Sequence, residues 1–159
     1  MPLTRLIPCL LLKDGMLVRS EEFSFHQIVG QPTAMVDRFT EWECDELVIL
    51  DITREPAGAG HRSDHAIEGA TDTLAILEQI ADHCFVPLTF GGGIRTVEDM
   101  RVRIASGADK VAINTAAVEN PGLITEGAET FGSQAIVVSI DVKRMGPTWD
   151  AYIHGGKHW

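Results

Sequence analysis

Five short apolar runs separated by four amphipathic stretches constrain this chain more than anything else in it. The runs cover residues 6–12, 46–52, 86–90, 110–113 and 135–140, rich in leucine or β-branched residues without strict alternation. Uninterrupted apolar strands suit parallel sheets covered on both faces. Between the runs, Met35, Val36, Phe39 and Trp42 recur at helical spacing, as do Leu74, Leu77, Ile80 and Ala81. Val97, Met100 and Ile104 form a third stripe, and Asn120-Pro121 opens a fourth helix that Gly132 stops. The order β-α-β-α-β-α-β-α-β calls for right-handed crossovers within one α/β domain.

Composition narrows the partners. A chain of 159 residues can bury a sizeable single core. Its 13 Lys and Arg against 23 Asp and Glu leave a formal charge of −10. That balance argues against nucleic acid or an anionic membrane, because phosphate backbones need basic stripes. Small phosphorylated ligands stay open, since backbone amides and one or two local cations can hold them. No segment is apolar and long enough to span a bilayer. The run at residues 6–12 is too short for a signal-peptide core, holds Pro8 and precedes no small-residue cleavage site, so a cytoplasmic location is expected. Cys9, Cys44 and Cys84 form no Cys-x-x-Cys pair and read as reduced thiols. His61 and His65 stand at i, i+4 without a third ligand, so neither a metal nor a cofactor is expected.

The chemistry gathers at strand ends. Gly91-Gly92-Gly93 follows Leu88-Thr89-Phe90, which opens dihedrals closed to other residues and lets backbone N–H groups approach an anion. Thr96 stands at a helix N-cap position, with Glu98 and Asp99 in the first turn. Strand, glycine turn and helix start together read as a phosphate cradle. Asn114 and Thr115, at the end of the next strand, add side-chain donors beside it. A pair of tight βα turns would use the same residues.

Two long connections, residues 13–30 and 53–71, are expected as loops on the same side as the glycine turn. That side is the catalytic face of a (β/α)8 barrel or the ligand edge of an open sheet. After Asp141-Val142-Lys143-Arg144, residues 149–154 read as one strand of a small hairpin. No helix follows to cover the fifth strand, so the sequence reads as a longer protein cut inside a loop. The first and fifth strands are then expected as unpaired edges.

Several pieces together resemble a known family. They are Ile7-Pro8-Cys9-Leu10 with Lys13-Asp14-Gly15, Asp45-Glu46-Leu47-Val48 with Leu50-Asp51-Ile52-Thr53, and Phe90-Gly91-Gly92-Gly93-Ile94. Residues 107–111 and 113–121 and Phe131-Gly132-Ser133-Gln134 with Ile140-Asp141-Val142-Lys143-Arg144 continue the match. The chain resembles the N-terminal half of the cyclase subunit of imidazole glycerol phosphate synthase, a lyase of histidine biosynthesis. The resemblance covers nearly all of residues 1–159 and implies half of a ribulose-phosphate-binding (β/α)8 TIM barrel, about (β/α)4 plus a fifth strand and a hairpin.

The resemblance also implies roles. The family takes ammonia from a glutaminase partner and acts on a phosphorylated substrate, with catalytic aspartates ending the first and fifth strands. Asp141 matches the second aspartate, whereas Leu11 stands where the family has the first. Leucine cannot move a proton, and acid–base work needs two carboxylates in different environments. Gly93, Asn114 and Thr115, with Gly92 beside them, match the family phosphate site. Arg5, Glu46 and Lys110 match a charged ring at the barrel base where ammonia enters; by residue type alone they read first as an ion-pair cluster closing the floor. Asp109 matches the glutaminase interface, and Arg19 stands in the first loop where the family carries a mobile lysine. The Leu10-Leu11-Leu12-Lys13 version of the first strand also resembles paralogues associated with forming an amidine on a surface-polysaccharide sugar. A non-catalytic half-barrel that binds phosphate is the third reading.

Overall fold

The computed structural model describes residues 4–21, 25–53 and 72–158. Its strands are β1 Cys9–Lys13, β2 Met16–Glu21, β3 Phe25–Gly30, β4 Leu47–Asp51, β5 Leu88–Gly91, β6 Lys110–Ile113, β7 Ile136–Val138, β8 Asp141–Met145 and β9 Thr148–Tyr152. Its helices are α1 Pro32–Glu41, α2 Thr73–His83, α3 Val97–Ala105, α4 Thr115–Glu119 and α5 Gly122–Phe131. The first seven strands form one sheet in the order β3-β2-β1-β4-β5-β6-β7, and β8 and β9 pair separately. β1, β4, β5, β6 and β7 run parallel, each joined to the next through helical connections. This is an arc of the (β/α)8 type that does not close on itself among the described residues.

The apolar stripes explain which face the helices cover. Leu12, Leu47, Ile49, Leu88 and Phe90 form one cluster with Val36 of α1 and Ile76, Leu77 and Ile80 of α2. Val111 and Ile113 form a second with Met100 of α3 and Leu123 of α5. Each fully buried side chain of this size contributes about 1.5–3 kcal/mol. The alternate strand residues Leu11, Val48, Leu50 and Val137 are only half-buried. The apolar runs suggested cover on both faces, but the described helices cover one.

Some expectations need correction. Within the segment expected as a loop, residues 16–21 and 25–30 are strands, and β1 and β2 form a hairpin with Leu11 paired to Val18 and Lys13 to Met16. The turn is Asp14-Gly15, both at positive φ (50° and 79°), which is the type I′ geometry that matches strand twist. β1 is therefore not an edge, since β2 lies against it. The edges are β3, with Phe25, Ile28 and Val29 exposed, and β7. The fifth parallel strand is also shorter than expected. Residues Ser133–Ala135 form a 3-10 turn, β7 ends at Val138, and Ser139 donates its amide to the Ile113 carbonyl at 2.8 Å. Asp141 thus opens the hairpin instead of closing the parallel strand. The connection expected at residues 53–71 lies, beyond Thr53, outside the described residues.

Open edges of this kind pair with other chains. The 159-residue chain is expected to associate at micromolar concentration, measured by light scattering. A clean monomer with one cooperative unfolding transition would contradict that.

Candidate functional site

Polar side chains collect at the two ends of the parallel strands. At the N-terminal end, Glu46 is buried, on the uncovered face it shares with Val48. Lys110 of β6 donates to Glu46 Oε2 at 2.6 Å, and Arg5 donates to Oε1. The Lys110 hydrogen bond, followed by the charges of Lys110 and Arg5, outweighs burial and holds the Glu46 carboxyl below its ordinary range. The structure therefore brings together all three residues expected at the barrel floor.

Asp109 lies next to Lys110, and its carboxylate accepts the Leu88 amide at 2.8 Å while its own amide donates to the Leu88 carbonyl at 2.9 Å. Asp45 does the same to Leu6, at 2.6 and 3.0 Å. Each aspartate staples the start of its strand to the chain preceding or opening the neighbouring strand.

At the C-terminal ends, β5 runs into the glycine turn. Gly92 has φ +114°, and a Cβ there would stand 2.1 Å from the Asp51 carbonyl. Gly93 has φ +63° and is exposed. Asp51 ends β4 and accepts the Thr53 amide at 2.9 Å and the Thr73 hydroxyl at 2.7 Å, tying the chain on both sides of residues 54–71.

The start of α3 differs from the expected cradle. Thr96 is the N-cap, and its hydroxyl accepts the Asp99 amide at 3.1 Å. The Asp99 carboxylate in turn accepts the Arg95 and Thr96 amides, both at 2.9 Å. Burial opposes charge on Asp99, yet the amide and hydroxyl donors and the Arg103 charge hold its carboxyl below the usual range. The Arg95, Thr96 and Asp99 amides at the helix start are thus engaged by a capping box, while the Gly92 and Gly93 amides expected to receive an anion are not part of it.

Asn114 and Thr115 stand beside that turn, because Gly91 pairs with Ala112 and both chains continue two residues further. Asn114 Nδ2 donates to the Ser139 carbonyl at 2.9 Å, and Thr115 Oγ1 accepts the His154 amide at 3.1 Å. His154 Nε2 also lies 3.1 Å from Glu119 of α4. The segment around the β8–β9 hairpin thus lies against both expected donors. Asp141, half-buried, pairs with Tyr152 at the root of this hairpin.

Leu11 lies between Leu50 and Val18 in register, in an apolar setting. Arg19 is in strand β2 rather than a loop; it is exposed and pairs with Glu21 at 2.8 Å. Its side chain alternates with that of buried Val18, so it points away from the Leu11 face. His61 and His65 lie outside the described residues.

The histidine biosynthesis protein family matches residues 5–159. The chain belongs to that family. The imidazole glycerol phosphate synthase subunit HisF of Natranaerobius thermophilus is 43% identical over 152 residues, 96% of this chain and 56% of that protein. The chain spans about half the length of the curated relative it matches.

Asp51, Thr73 and Arg103 escaped sequence reasoning as site residues. Asp51 carried a signal, a carboxylate at the last position of an apolar strand, on the same edge as the glycine turn. Arg103 carried none, because on a helix with a polar face one more arginine is unremarked.

Two outcomes follow from this geometry. Gly92→Ala is expected to lower stability by about 2–4 kcal/mol in urea unfolding, because the added carbon meets backbone at a disfavoured φ. Glu46 has a depressed folded-state pKa, so its contribution is complete above the ordinary carboxylate range and lost as pH falls through the depressed value. Urea midpoints measured from pH 7 downward should therefore drop less steeply for Glu46→Gln than for the wild type.

Proposed function

We propose that this chain contributes the N-terminal half of a cyclase barrel of the imidazole glycerol phosphate synthase type, which passes ammonia from a glutaminase partner through its floor to a phosphorylated substrate at the opposite mouth. The observation that carries this is the Glu46 clamp. A buried carboxylate held by two cations closes the floor of the uncovered face with a net positive charge. Neutral ammonia is not repelled by such a cluster, whereas ammonium is. The glycine turn and Asn114 and Thr115 lie at the other end of the same strands. In this reading the substrate phosphate takes the places of Ser139 and His154 on Asn114 and Thr115. Asp141 serves as the one family carboxylate in this half, near the mouth.

Leu11 favours a second reading. With an apolar side chain where the family has a proton-transfer group, the acceptor would be one that needs no second carboxylate, as in amidine formation on a sugar.

The test uses the barrel completed by its C-terminal half together with a glutaminase subunit. Glu46→Ala should reduce glutamine-dependent turnover far more than turnover on free ammonia. Equal losses would remove the gate from the proposal. On the histidine-type substrate, Leu11→Asp should raise turnover, general acid–base catalysis being worth about 10²–10⁴-fold. Full wild-type turnover without an aspartate at position 11 would refute the role given to this position.

A further inference from the structure

Arg103 of α3 is a half-buried guanidinium whose hydrogen bonds go to neutral carbonyls. Nη1 donates to the Asp99 carbonyl at 2.9 Å and Nη2 to the Gly92 carbonyl at 3.0 Å. Its Nε is buried with no partner among the described residues. The two carboxylates that act on its charge, Asp99 and Asp51, are both engaged elsewhere, Asp99 by the Arg95 and Thr96 amides and Asp51 by Thr53 and Thr73. Among the described residues its hydrogen bonds therefore go to carbonyls and none to a carboxylate, which leaves a buried donor at Nε unmatched.

The Gly92 contact also sets an orientation. The Gly92–Gly93 peptide is trans and planar, so its C=O and N–H point in opposite directions. With the carbonyl drawn onto Arg103, the Gly93 N–H faces away from α3 at an exposed residue, and among the described residues it has no acceptor. We propose that Arg103 is a positioning residue for an anion: it aims the Gly93 N–H outward at the strand ends and adds a guanidinium charge behind it, selecting a phosphoryl group. This rests on the reading of the glycine turn as a phosphate site, and it assigns the cation that site requires to a residue behind the turn.

The experiment is a titration of inorganic phosphate into the full chain, followed at the Gly93 amide by ¹⁵N–¹H NMR. Wild type should show a saturable shift of the Gly93 resonance. Arg103→Met, which keeps the stem but removes charge and donors, should already move that resonance in the free protein and weaken phosphate binding about tenfold. Arg103→Lys, with the charge on a compact ammonium in place of a planar fork, should lie between, about threefold weaker than wild type. If wild type gives no phosphate-dependent shift at Gly93, the phosphate reading falls and the inference with it. If wild type binds and Arg103→Met binds equally well, only the role of Arg103 falls. Should the Met variant not fold, unchanged affinity in the Lys variant overturns that role in the same way.

Discussion

The absence of a side chain at Gly91 and Gly92 is the constraint on which this structure turns. A Cβ at Gly91 would stand 2.8 Å from Leu50 Cδ2 and 2.9 Å from Ala112 Cβ, and one at Gly92 would strike the Asp51 carbonyl. β5 therefore fits between β4 and β6 only as glycine at its upper end. That fit holds all four residues of β5 buried and lets Phe90 complete the helix-side core. It also brings the chain out of the sheet at positive φ, which creates the exposed turn beside Asn114. Packing and site have one cause here.

The two ends of the sheet manage charge differently. At the N-terminal end, carboxylates are satisfied locally: Asp45 and Asp109 by backbone amides, and Glu46 by two cations. Such groups fasten strands and leave these carboxylates hydrogen-bonded. At the C-terminal end, the Arg103 guanidinium donates to carbonyls among the described residues, and Gly93 in the adjoining turn is exposed.

Family membership and local chemistry meet at Leu11. In this member of the histidine biosynthesis protein family, the position lies in an apolar patch bounded by Leu50 and Val18. The β2–β3 hairpin supplies Val18, so the same element that shields the β1 edge also desolvates position 11. A carboxylate there would be half-buried between leucine and valine, an environment that favours its protonated form.

Much of the fold was legible because it rests on local rules. Apolar runs, helical stripes, the Thr96 cap and the Gly132 stop each act within a few residues, so the alternating β-α order and the parallel arc can be read directly. The Asp14-Gly15 hairpin was equally legible, since an Asp-Gly pair between apolar residues is a turn signal, but the length of the segment suggested a loop. What no local rule contains is contact between distant residues. Glu46 and Lys110 lie 64 positions apart, and only the pairing of β4, β5 and β6 brings them within hydrogen-bond reach. The capping box likewise depends on where the Asp99 side chain turns, back onto the Arg95 and Thr96 amides. Arg103 becomes part of the site only because α3 packs behind the glycine turn, where a helical arginine finds a strand-end carbonyl. Elements are fixed by short-range sterics and periodicity; partners for charge are fixed by long-range packing.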